Sequence, residues 1–172
     1  MVNKIIKYFL IAASFIFAIV LFIYGEIGWG IVLILLASIF VLSLFRHELI
    51  LKAFWHIRKN EFDKAGLSLD KITHPEQLPF RSQEAYYNFL RGVILSSSNQ
   101  YTKSEKFYRK AITLGLRMKQ DQAMAKLSLA SISVMKRRKM EATMLLNEAK
   151  KLDSRKILAE QIKYVQEQMK KI

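Results

Sequence analysis

The residues able to do chemistry in this chain are few and scattered. There is no cysteine, which excludes disulfides, thiolate metal sites and cysteine nucleophiles. His47, His56 and His74 show no metal-ligand spacing with one another or with nearby carboxylates. Glu48, Glu61, Glu84 and Glu105 supply carboxylates, but nothing in their spacing marks an acid/base pair. No glycine-rich phosphate loop appears, and Ser96-Ser97-Ser98 reads as a helix end passing into a turn. The expectation is a protein that is not an enzyme, with no catalytic residues, no metal site and no cofactor. The remaining chemistry is charge. Lys136, Arg137, Arg138 and Lys139 form a run of four cations, and Lys150-Lys151, Arg155-Lys156 and Lys170-Lys171 add more. Such a face is simply solvated, or attracts anionic head groups, or meets an acidic protein partner. Nucleic acid is not expected, because few aromatics interleave with these charges and no nucleic-acid motif is present.

The elements that carry these residues differ sharply along the chain. Residues 5–24 and 27–45 are apolar stretches of about twenty residues each, enough to cross a hydrocarbon core of roughly 30 Å as helices. Gly25-Glu26-Ile27-Gly28 between them is short enough for a tight turn. Residues 1–45 are therefore expected to form a two-helix transmembrane hairpin. Lys4 and Lys7 precede it, Arg46, Lys52, Arg58 and Lys59 follow it, and the turn holds one Glu and no cation. That asymmetry predicts two cytoplasmic termini, and the expected location is a bacterial inner membrane. The second span runs into the following segment without Pro or Gly, which suggests a continuous helix. From Arg46 onward 26 basic residues face 13 acidic ones.

That second segment repeats itself. The small residues Ala53, Gly92 and Ala130 are each followed twelve positions later by another small residue: Ala65, Ser104 and Ala142. Four further on come Leu69, Tyr108 and Leu146, and three beyond those Ile72, Ala111 and Ala149. The copies are 39 and 38 residues apart. Steps of four and three keep residues on one helix face, and a step of twelve spans a turn between two helices. Asn60, Asn99-Gln100 and Arg137-Arg138 suit those turns. After Arg155, Leu158, Ile162, Val165, Met169 and Ile172 form one apolar stripe on a polar helix. It serves either as a cap for the array or as a seam for a partner helix.

This pattern resembles the tetratricopeptide repeat, whose period is about 34 residues. The second copy carries the most of it, in Tyr87-Asn88-Phe89-Leu90-Arg91-Gly92, Asn99-Gln100-Tyr101, Ser104 and Tyr108-Arg109-Lys110-Ala111. The first keeps Asn60-Glu61-Phe62-Asp63-Lys64-Ala65, and the third Glu141-Ala142 and Asn147-Glu148-Ala149-Lys150-Lys151-Leu152-Asp153. The links between copies are four or five residues longer than the family norm, and Arg91 stands where the family prefers leucine. The fold class implied is all-α: a transmembrane hairpin (1–45), three helical hairpins resembling this repeat (46–154) and a C-terminal capping helix (155–172). The resemblance also implies a concave face lined by the first helix of each hairpin. Its residues would be Ile50, Phe54 and Ile57, then Phe89, Val93 and Ser96, then Leu127, Ser131 and Val134. Positions that supply a carboxylate-binding asparagine clamp in some members read Leu51, Leu90 and Ser128 here, so an apolar ligand is expected instead.

The function these readings imply is a membrane-anchored scaffold that holds a protein partner, an accessory subunit of a membrane complex. The alternatives are an assembly or quality-control factor that transiently holds membrane-protein clients, and a basic module that binds a lipid surface.

Overall fold

The computed structural model describes Ala13, Ile16, Ile19, Gly28, Ile31, Val32 and residues 48–171. The chain divides into two compact units, Met1–Glu48 and Leu49–Ile172. The seven described residues of the first unit, Glu48 among them, are helical and exposed.

The second unit is helical, with no strand among the described residues. Its helices are α1 (Glu48–Arg58), α2 (Phe62–Asp70), α3 (Arg81–Ser97), α4 (Tyr101–Leu114), α5 (Lys119–Met135), α6 (Lys139–Leu152) and α7 (Ala159–Lys170). A short 3-10 turn, Pro75–Gln77, lies between α2 and α3. Helix α3 pairs with α4 and α5 with α6, and neighbours pack in chain order, α2 on α3 and α4 on α5; α1 and α2 are joined by a turn of the same kind. Helix α7 packs on both α5 and α6.

The three pairs are joined by one turn used three times. Asn60, Asn99 and Arg137 sit at φ 59°, 57° and 57°, in the left-handed region that ends many helices. The N–H of the next residue reaches back five positions in each case: Glu61 to His56 O (2.9 Å), Gln100 to Leu95 O (2.9 Å) and Arg138 to Ser133 O (2.8 Å). The turn residue's own N–H reaches back three, to Ile57, Ser96 and Val134. These bonds occupy carbonyls that a helix end otherwise leaves open. The turns recur at the spacing of the sequence ladder.

That ladder forms the core. All twelve of its positions are buried, from Ala53 in α1 to Ala149 in α6. The small residues let paired helices approach. Ser104 Oγ donates to Gly92 O at 2.9 Å, and the Tyr108 ring fills the space a side chain at Gly92 would need. Gly115 (φ 91°) closes α4 by donating to Ala111 O and Ile112 O. Its positive φ suits a residue without Cβ.

The C-terminal helix starts later than Arg155. Asp153, itself buried, accepts the N–H groups of Ile157 (3.0 Å) and Leu158 (2.8 Å) and so folds residues 154–158 into a turn. Leu158, Ile162 and Val165 are buried in the unit's own core and Met169 packs partly against it. Ile172 lies outside the described residues.

The expected transmembrane hairpin is not supported. No helix among the described residues is long and apolar enough to cross a membrane. The longest, α3 and α5, have 17 residues each, about 26 Å at 1.5 Å per residue, and both carry charges: Arg81, Glu84 and Arg91, and Lys119, Asp121 and Lys126. Of the spans placed at 5–24 and 27–45 only Ala13, Ile16, Ile19, Gly28, Ile31 and Val32 are described; the rest of both, and residues 46–47 between the second span and α1, fall outside the described residues. The fold class is corrected to all-α without a demonstrated membrane segment. The integral-membrane location with two cytoplasmic termini loses its support with it.

Candidate docking face

Because the turn between helices is the same in each pair, α1, α3 and α5 present equivalent positions at Ala53, Gly92 and Ala130. The residues expected to line a groove lie three before, one after and four after these. The structure separates them. Phe89, Leu127 and Val134 are buried. Phe89 leans on Tyr108, with ring centroids 6.1 Å apart. Ser96 Oγ is engaged with Ser104 Oγ at 2.6 Å. Ile50, Ile57 and Val93 are half-buried against the core. Phe54 is 36% exposed, and Ser131 is half-buried. In the second and third copies the position one after the small residue, Val93 or Ser131, is half-buried, and the other two are spent on packing or on a bond between helices.

Two apolar neighbours widen this face at α1. Leu51 and Trp55 are exposed beside Phe54, and Lys59 Nζ lies 3.6 Å from the centroid of the Trp55 ring. Trp55 did not stand out in the sequence, although α1 carries Leu49, Ile50, Leu51, Phe54, Trp55 and Ile57, more apolar side chains than one buried stripe absorbs.

At the other end lies a cleft of about 430 Å³ between α5 and α7. Buried Leu127 and Val165 contribute apolar surface, and Ser128, Ser131, Glu160, Gln161 and Tyr164 complete the lining. Glu160, Gln161 and Tyr164 were missed in the sequence. They lie off the apolar stripe of α7, and only the fold brings them opposite Ser131.

The basic run is placed at the α5/α6 turn, where half of it is neutralised. Lys136 Nζ meets Glu105 Oε2 at 2.6 Å, and Arg138 meets Glu105 at 3.1 Å and Glu141 at 3.5 Å. Arg109 pairs with both carboxylates. Glu105 is only 8% exposed. Burial alone would raise its pKa, but the hydrogen bonds and charges of Lys136 and Arg109 hold it at about 2. Arg137 occupies the left-handed turn position, and Lys139 opens α6. Glu105 and its partners thus join α4 to the third copy.

The other candidate groups are similarly engaged. His56 Nδ1 lies 2.7 Å from Glu61 Oε2, and this bond, with Lys64, lowers the Glu61 pKa. Lys110 pairs with Glu84 at 2.9 Å. His74 pairs with Glu76 at 3.1 Å, and His47 lies outside the described residues. Ser97 and Ser98 donate to Ile94 O. The Tyr86 hydroxyl donates to Asp121 Oδ2 at 2.7 Å; burial and that carboxylate raise its pKa, so the phenol stays protonated as a tie between α3 and α5. Among the described residues no group of three or more His, Asp or Glu is placed to hold a metal ion. The arrangement can bind, through an apolar patch at α1 and a mixed cleft at α7.

No protein-family profile, curated protein or solved structure matches the chain.

Proposed function

We propose that the helical-repeat unit is a scaffold that docks a segment of a protein partner along the first helices of its pairs. The resemblance to the tetratricopeptide repeat supports this reading. The observation that carries it is the unburied surface on those helices. Phe54 with Leu51 and Trp55 stands open at α1, and Ser131 opens into the α5/α7 cleft. An aromatic and aliphatic patch flanked by polar groups is a common form of peptide-binding surface. The activity is binding without turnover.

A second reading has one observation of its own. Met118, Met124, Met135, Met140 and Met144 are all exposed. Methionine side chains adapt to many partners, which suits transient holding of varied clients.

One experiment tests both. A photo-crosslinking amino acid is placed in the full chain at Phe54 or Ser131, with Lys106 and Asn147 on the second helices as controls, and the cells are irradiated. Docking predicts discrete adducts from the first pair of sites and not from the controls. A continuous smear from all four sites would favour transient holding. Equal, sparse labelling everywhere would sink the scaffold reading.

A further inference from the structure

The α5/α7 cleft has a charge character opposite to that of its surroundings. Residues 48–171 hold 25 Lys and Arg against 13 Asp and Glu. Yet none of the residues lining the cleft is basic, and one of them, Glu160, is a carboxylate. Several other acids in this unit are paired with cations: Glu84 with Lys110, Glu105 with Lys136, Glu148 with Lys126. Glu160 is exposed at the rim.

A second feature points the same way. Tyr164 lies four residues after Glu160, so the two side chains share one face of α7, and Tyr164 is 63% exposed. A carboxylate beside an accessible aromatic face is a receptor for a cationic side chain, by ion pairing to the first and cation–π attraction to the second. Leu127 and Val165 supply apolar surface in the same cleft, and Ser131 and Gln161 supply hydrogen-bonding groups. The volume of about 430 Å³ falls in the range of small binding pockets.

We infer that this cleft is the anchoring site of the docking face and takes a partner segment in which an aliphatic residue adjoins an arginine or lysine. The aliphatic side chain meets Leu127 and Val165, and the cation lies between Glu160 and Tyr164. This rests on the docking reading and adds the partner's chemistry to it. It also runs against the net charge: a partner chosen by long-range attraction alone would be acidic.

Selection of random octapeptides displayed on phage, against the full immobilised chain, tests it. The expected winners pair Leu, Ile or Val with Arg or Lys. As labelled synthetic peptides in fluorescence anisotropy, they should bind Glu160→Lys at least tenfold more weakly and Tyr164→Ala about fivefold more weakly. Lys139→Ala should stay within twofold. The three substituted side chains are exposed, and a helical circular-dichroism spectrum matching the parent establishes that each variant is folded. Winners that pair aliphatic with acidic residues, or that bind the cleft variants unchanged, would overturn the inference while leaving the scaffold reading to stand on its crosslinks. Failure to enrich any peptide above a Glu160→Lys/Tyr164→Ala double variant would also overturn it. The scaffold reading fails separately, when Phe54 and Ser131 crosslink no better than the controls.

Discussion

Two glycines in this fold do opposite jobs. At Gly92 an added Cβ would lie 2.8 Å from Tyr108 Cδ1 and Cε1, and that ring is buried under the α3/α4 contact. Gly92→Ala is expected to cost about 1–3 kcal/mol through forced repacking, seen as a lower urea midpoint. At Gly66, inside α2, an added Cβ meets nothing within 4 Å. Gly66→Ala should raise stability by roughly 0.5–1 kcal/mol by removing chain entropy from the unfolded state. Arg137 is the third informative residue. Its counterparts at the left-handed turn position are Asn60 and Asn99, and asparagine tolerates that conformation better than arginine. Arg137→Asn is expected to gain about 0.5–1 kcal/mol, read from the same denaturation curves. The polar character of these turn positions was legible in the sequence. Their handedness was not, because an arginine there gives no sign of positive φ.

Among the elements, the joint between the second and third pairs rests on Glu105. Its carboxyl has a pKa of about 2 in the folded protein, against an ordinary 4.5. Protons therefore bind the unfolded chain more readily, and the stability this group supplies is complete above about pH 4.5 and lost as pH falls toward 2. Glu105→Gln should lower stability at pH 7 by about 2 kcal/mol, within the range for bonds to charged groups. It should also flatten the fall in urea midpoint between pH 4.5 and 2; an unchanged slope would refute the role. The ladder of small and large residues was legible because helical packing imposes its spacing locally, and each of its positions is buried. The Glu105 cluster was not, because Lys136 and Arg138 lie 31 and 33 residues from Glu105 and nothing local marks them as its partners. The same limit split the groove residues. Helical spacing puts Ile50, Phe89 and Leu127 in equivalent places, yet Phe89 and Leu127 are buried while Ile50 is only half-buried; Tyr108 packs against Phe89, and at the first pair Leu69 takes the place of that ring.

For the repeat unit as a whole, stability is a sum over neighbouring pairs, and the pairs are unequal. Helix α2 has 9 residues, against 14 in its counterparts α4 and α6. Hydrogen exchange of the full chain should show α2 losing protection before α3 to α6; equal protection would mean that the unit opens as one. The sequence was misleading on the largest scale: long apolar runs argued for a membrane hairpin, and no described helix supports one. The thrice-used turn has a consequence for how this chain tolerates changes in length. The copies already differ by one residue, and their inter-pair links differ, a loop with a 3-10 turn at residues 71–80 and a short one at 115–118. Adding a residue at Thr73 should leave the phase of α3 untouched. Adding one beside Asn99 would rotate α4 by about 100° about its axis, carrying Ser104 and Tyr108 away from Gly92. Insertions and deletions along this lineage should therefore collect between the pairs and be purged from within them.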